Sequence, residues 1–272
     1  MFRPGLVSIT FRDLEPGEII QRAADSQLQG IEWGGDVHVP PGETDHARRV
    51  GEMTRAAGLE VAAYGTYYRL GVSDPEQWAR IIETAEALQT QVLRVWCGDR
   101  ASAEADLAYR RRVADNALRV SQAAADAGMT VACEWHGNTL TDTATSSQLL
   151  FDEVSHPAFR TYWQPHVGMT PVQCLVDMET ALPRLTGLHV FQWHPDTRAR
   201  LPLSDGDRIW PAYLRKALIR PAHAGTEPMY ALLEFVPDDD PDLLPREAQT
   251  LRNWLAEVGE DSQSQDGDHP NA

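Results

Sequence analysis

Short apolar runs recur along the chain at spacings of roughly 25–40 residues, and a longer amphipathic stretch follows each of them. The runs predict strands near Val7–Thr10, Gly30–Trp33, Glu60–Tyr64, Val92–Trp96, Thr130–Trp135, Arg160–Gln164, Gly187–Gln192 and Tyr230–Val236. Between them lie segments such as PGEIIQRAADSQ, TDHARRVGEMTRAAG, DPEQWARIIETAEALQ and the long stretch from Ala101 to Gly128. Alanine, arginine and glutamate dominate these segments, as expected of helices. Eight strands alternating with helices over this length fit an α/β fold in which a parallel sheet closes on itself as a (β/α)8 TIM barrel, rather than an open sheet. No GxGxxG follows the first strand, which removes the main sign of a dinucleotide fold. No linker divides the chain, so residues 1–258 read as one domain. The polar, acidic tail over 259–272 lacks bulky apolar residues from Glu260 on and reads as disordered.

In a barrel of this kind the reacting groups belong at the carboxyl ends of the strands. The run TVACEWH puts Thr130, Ala132, Glu134 and His136 on one face and Val131, Cys133 and Trp135 on the other. The apolar face suits the helix layer, so Glu134 points into the barrel mouth, where a carboxylate is costly without a cation. Glu234 in YALLEFV repeats the pattern on the face of Leu232, and GLHVFQWH sets His189 opposite Leu188 and Val190. The run RTYWQPH ends in Gln164, Pro165 and His166. Adjacent strands lie about 4.8 Å apart, so donors from four neighbouring strands can converge on one ion. Two carboxylates, an imidazole and an amide oxygen suit one divalent metal ion: Mn, Mg, Co or Zn. Such an ion would polarise a carbonyl and stabilise the enediolate left when the adjacent proton departs, with Glu134 and Glu234 as proton acceptor and donor.

Composition narrows the alternatives. The formal net charge is −16, whereas nucleic-acid binding draws on a basic footprint. No run approaches a membrane span, and the amino terminus enters a strand without a signal-peptide apolar segment, so a cytoplasmic protein is the expectation. Cys97, Cys133 and Cys174 are widely separated and form no CxxC pair, which points to neither a disulfide framework nor a thiolate zinc site. The sole lysine, Lys216, lies in the helix-like PAYLRKALI, which argues against Schiff-base chemistry.

The segments GIEWGGDVHVPPG, AYGTYYRLG, LRVWCG, CEWHGNTLTDT, YWQPHVG, LHVFQW and LLEFV resemble the sugar phosphate isomerase/epimerase families of the xylose-isomerase-like TIM barrel superfamily. The resemblance covers the chain to about Val258. It implies metal ligands at Glu134, His189 and Glu234. The sixth-strand ligand is usually aspartate, often with histidine three residues later. Here Gln164 takes that place and His166 follows after two, so a neutral and weaker amide donor would complete the set. Glu32, Asp36 and His38 follow the second strand as candidate substrate contacts, and Arg94, Trp96, His136 and His166 join them. Arg94 can hold a substrate anion or pair with Glu134 or Glu32. After the seventh strand, His194–Trp210 forms a long loop carrying Arg198, Arg200 and Arg208, which are candidates for a phosphate or carboxylate.

The expected activity is isomerisation or epimerisation of a small carbohydrate substrate. The alternative is a lyase or dehydratase acting on a keto-sugar or keto-inositol through the same first half-reaction. A metal-dependent nuclease and a non-catalytic sugar-binding or partner subunit stand further off. Related barrels often dimerise, so a homodimer is the expected assembly.

Overall fold

The computed structural model describes residues 1–166, 168–221 and 228–266. Its eight strands are β1 (Phe2–Val7), β2 (Gly30–Gly34), β3 (Glu60–Arg69), β4 (Val92–Trp96), β5 (Thr130–Glu134), β6 (Phe159–Trp163), β7 (Leu185–Val190) and β8 (Met229–Leu233). They pair in parallel and in chain order, and β8 returns to β1 to close the barrel. The outer layer is α1 (Pro16–Asp25), α2 (Thr44–Ala56), α3 (Gln77–Leu88), α4 (Leu107–Asp126), α5 (Ala144–Glu153), α6 (Pro171–Ala181), α7 (Trp210–Leu218) and α8 (Leu244–Asp266). Among the described residues no helix is long and apolar enough to cross a membrane.

Two hydrophobic clusters follow from strand alternation. The larger lies between sheet and helices and takes the outward-facing residues, among them Ile31, Trp33, Leu93, Val95, Val131, Cys133 and Leu188. The smaller fills the barrel itself with Val7, Ala63, Ala132, Tyr162, Tyr230 and Leu232. This floor blocks the barrel beneath the polar residues, so access to them comes from the carboxyl end only.

The first strand lies nearer the amino terminus than the apolar pattern predicts. Gly5 is needed inside this strand: a Cβ there would come within 2.6 Å of the Leu232 side chain and 2.8 Å of the Gly30 carbonyl oxygen. Ser8–Phe11, which takes in all of the predicted Val7–Thr10 strand but its first residue, instead makes a short 3-10 turn. The last helix also differs from expectation. It continues through Asp266, and Arg215 of α7 pairs with both Glu257 and Asp261 across the predicted boundary at residue 258. The tail is therefore helical over its first part, and 267–272 lie outside the described residues.

Candidate functional site

The inward positions at the carboxyl ends of β2, β4, β5, β6, β7 and β8 hold Glu32, Arg94, Glu134, Gln164, His189 and Glu234. All six are buried. Arg94 is the hub: its Nε donates to Glu32 Oε1 at 2.5 Å and its Nη1 to Glu134 Oε2 at 2.5 Å. The indole N–H of Trp96 also donates to Glu134 Oε2. Gly65 on β3 makes room for this pairing, because a Cβ there would stand 2.6 Å from Arg94 Nη2 and 2.8 Å from Glu32 Oε1.

His189 sits among the three carboxylates. Its Nε2 lies 3.1 Å from Glu32 Oε2, and its Nδ1 lies 3.6 Å from both Glu134 Oε1 and Glu234 Oε2. Gln164 bridges, with its amide nitrogen donating to Glu134 Oε1 at 3.3 Å and its oxygen 3.2 Å from His189 Nδ1. When Nε2 carries its proton toward Glu32, Nδ1 faces the gap between Glu134 and Glu234. A carboxylate fixing the far nitrogen of a ligating imidazole is the usual support of a metal-bound histidine. One donor atom from each of Glu134, His189 and Glu234 falls within 4.8 Å of the other two, a possible metal-binding triad.

Charge balance fits a cation here. Three buried carboxylates face one arginine, and burial alone would drive carboxylates neutral. Burial works against ionisation of Glu134, but the charges of Arg94 and His189 outweigh it and hold its carboxyl well below the usual range. Glu32 is likewise lowered, with burial outweighed by Arg94 and His189. Glu234 has no arginine contact of this kind; burial, and then the neighbouring carboxylates, raise its pKa. Burial works against protonation of His189, yet Glu234 and Glu32 raise it from its ordinary 6.5 to about 10. A proton on His189 thus occupies the place that a divalent ion would fill.

Above this cluster opens a cavity of about 380 Å³, reached by Arg94, Trp96, Glu134, His136, Gln164, His166 and Glu234, all expected from the sequence. Three expected substrate contacts do not line it: Glu32, His38 and Asp36, the last paired with Arg12. Glu32 is fully buried beneath the cavity, held by Arg94 and His189, and so supports the site from below. His38 is buried behind the loop after β2, where its Nδ1 meets Ser8 Oγ at 3.0 Å and its ring packs edge-on against Trp33. Its position follows from the short turn at Ser8, whose Oγ also accepts from the Gly34 amide. Arg94 lines the cavity, but its guanidinium is committed to Glu32 and Glu134.

The remaining wall was not singled out from the sequence, Arg198 excepted. Arg12 donates to Asp36 at 2.5 Å and to the Tyr67 hydroxyl at 2.9 Å. Phe191, Trp193 and Phe235 stack in sequence, with centroids 4.9 and 5.5 Å apart. Arg198 enters from the loop after β7, while Arg200 turns away to pair with Asp239. Tyr67, Asn138, Arg198 and Phe235 line the cavity with φ between 57° and 66°, the left-handed region. Such backbone costs about 1–3 kcal/mol per residue and gathers at functional sites. Of the four, only Asn138 is of a residue type that favours this region; nothing in the local sequence of Tyr67, Arg198 or Phe235 signals it.

The chain belongs to the xylose isomerase-like TIM barrel family, whose model matches residues 20–254. A 3-dehydroshikimate dehydratase from Bacillus anthracis is 28% identical over 165 residues, and that stretch covers 57% of this chain and 56% of the relative. The chain therefore matches little more than half the length of this curated relative. Among solved structures, the probable 3-DHS dehydratase of petrobactin synthesis from Bacillus anthracis superposes with a TM-score of 0.76 at 20% identity, covering 93% of this chain and 99% of that one. An L-ribulose 3-epimerase superposes with a TM-score of 0.68 at 15% identity over the whole of both chains. These two likenesses are of fold.

Proposed function

We propose that this protein is a divalent-metal-dependent enzyme that removes the proton next to the carbonyl of a small polyhydroxylated keto substrate and then expels water from it, a dehydratase. The observation that carries the reading is the surplus of buried carboxylates around His189 Nδ1. Glu134, His189 and Glu234 would hold the ion, with Gln164 placed to add an amide oxygen. When bound, the ion supplies Lewis acidity toward a carbonyl oxygen.

The protein's own groups divide the remaining work. Arg94 and Trp96 fix one oxygen of Glu134 and leave the other facing His189, so Glu134 stays ionised and immobile. Glu234, with its raised pKa and no arginine pinning it, is the carboxylate suited to take a proton at near-neutral pH. His136 stands at the rim against Trp96, with ring centroids 5.0 Å apart, within the same cavity, and can protonate a departing hydroxyl. Arg198 supplies a positive charge for a substrate carboxylate, the group that distinguishes a keto-acid from a neutral ketose. The similarity to a dehydratase over more than half the chain supports elimination over simple proton return.

A second reading keeps the same first step and returns the proton on the other face, as an isomerase or epimerase. Glu134 and Glu234 favour it by flanking His189 Nδ1 at an equal 3.6 Å. Metal-loaded protein incubated with cyclic keto-acids and ketoses in deuterated water separates the two. A product lighter by one water supports the dehydratase. Deuterium incorporation without that loss supports the epimerase, and neither change in any substrate overturns both.

A further inference from the structure

The amino-terminal end of the barrel has a cavity of its own, about 480 Å³, on the far side of the apolar floor from Glu134, His189 and Glu234. Its charged lining among the described residues is Arg3, Arg160, Arg220 and Glu60, and Arg3 and Glu60 pair with each other. Alternation along β6 sets Arg160, Tyr162 and Gln164 on one face, at the bottom, the floor and the top of the barrel. Arg160 and Tyr162 both line the lower cavity, their backbone positions about 6.6 Å apart along the strand. Arg220 is held at the same place: its Nη1 donates to the Leu185 carbonyl at 3.1 Å, and Leu185 pairs with Thr161, the residue between the other two. Burial, and then the charge of Arg160, lower the Arg220 pKa, so the two guanidinium groups feel each other.

Two donors at this spot have nothing to donate to. Arg160 makes no ion pair or hydrogen bond among the described residues, and burial lowers its pKa with no carboxylate opposing the effect. Tyr162 is 2% exposed, its hydroxyl has no hydrogen-bond partner among the described residues, and it borders this cavity and not the catalytic one. Gly187 on β7 makes room for the ring, because a Cβ there would stand 2.7 Å from two of its carbons. A buried hydroxyl without a partner is costly, and a cation held partly out of water without an anion adds to that cost. One oxyanion satisfies both by accepting from the guanidinium and from the phenol O–H. The lining is basic although the chain as a whole carries a formal charge of −16, so it does not follow from composition.

We infer that the amino-terminal cavity is a binding site for a small molecule bearing an oxyanion, a phosphate or a carboxylate, held by Arg160 and the Tyr162 hydroxyl with Arg220 beside them. The volume is within the range of small-molecule sites, so the oxyanion is one group of a larger ligand. The Tyr162 ring also meets His189 edge-on, with centroids 5.3 Å apart, which puts the bound anion one side chain below the carboxylate cluster. The site goes beyond the proposed carbonyl chemistry and does not depend on it.

The test titrates the full chain with inorganic phosphate, and in a second series with acetate, at an ionic strength held constant with sodium chloride. Binding is read on the Arg160 Nε–H signal by NMR, assigned from its absence in Arg160→Met. For one of the two anions the signal should shift and saturate with a dissociation constant at or below about 1 mM, and the tighter of the two names the group. Tyr162→Phe removes only the hydroxyl and should weaken binding at the same signal at least about threefold, with circular dichroism unchanged. In calorimetry Arg160→Met should weaken the anion at least about tenfold. No saturation by about 20 mM of either anion would overturn the site. Unchanged affinity in Arg160→Met would place the anion elsewhere and overturn it equally, and unchanged affinity in Tyr162→Phe would overturn the part given to the hydroxyl.

Discussion

The barrel carries charge at both ends, and the two ends treat it differently. At the amino-terminal end Arg3 pairs with Glu60 at 2.5 Å, and the Tyr230 hydroxyl donates to the same carboxylate at 2.6 Å. The Arg3 and Glu60 side chains are 36% and 57% exposed, and the half-buried Arg160 and Arg220 line the same cavity, so charge there is uneven too but stays within reach of water. At the carboxyl end three carboxylates face one arginine and a histidine, all buried. The cavity at the amino-terminal end is the larger, about 480 Å³ against about 380 Å³. Neither the presence of charge nor the size of the opening marks the site. What marks it is charge that the protein itself leaves unbalanced and holds out of water, at a cost that a bound cation would offset.

The sharpest break of this contrast is at Glu234. Glu234→Gln keeps shape and hydrogen bonding but removes the basic carboxylate, and turnover should fall by at least about 10²-fold, with circular dichroism unchanged. Retention of more than about a tenth of the activity would remove Glu234 from its role.

Breaking the two ion-pair clusters comes next. Arg94→Met leaves Glu32 and Glu134 buried without their guanidinium and should cost about 3–5 kcal/mol in denaturant unfolding. Arg3→Met at the other end should cost no more than about 1 kcal/mol, because that pair is exposed. Equal losses would erase the distinction between the two ends.

In metal-free protein the raised His189 pKa ties stability to pH. A group whose folded pKa lies above its unfolded value stabilises fully below the unfolded value and ceases to do so as pH rises through the folded one. The contribution from His189 should therefore be present below about 6.5 and lost progressively by about 10, a change on the order of a few kcal/mol at about 1.4 kcal/mol per unit. Saturating divalent ion should flatten that dependence. A metal-free profile already flat from 6.5 to 10 would contradict it. Gly65→Ala crowds Arg94 and Glu32 and should cost about 1–3 kcal/mol by thermal melting.

The same contrast explains what the sequence makes legible. Alternation along TVACEWH puts Glu134 inside and Cys133 outside, and the fold obeys it, because a reversed strand would bury the carboxylate among helices. His189 and Glu234 are read the same way, and the three converge as expected. Glu32 obeys the alternation too, but depth along a strand is not written in its pattern, and one layer separates a substrate contact from a buried support. His38 depends on a turn at Ser8 that an apolar run disguises as strand. Arg12, Tyr67 and Phe235 reach the cavity through a turn and left-handed backbone, which leave no periodic trace. The part of the cavity wall made by Pro165, His166, Phe191 and Trp193 comes from the loops after β6 and β7, set side by side by the direct pairing of those two strands.

The most direct test of the central claim is the metal content of the purified protein by elemental analysis, before and after dialysis against Mn, Mg, Co or Zn, set beside Glu134→Gln. About one equivalent of divalent ion per chain, lost in the variant while the fold persists, is the result the unbalanced carboxylates around His189 require. No bound ion in the parent protein at millimolar metal would show that the cluster is balanced by the His189 proton alone, and would contradict the account.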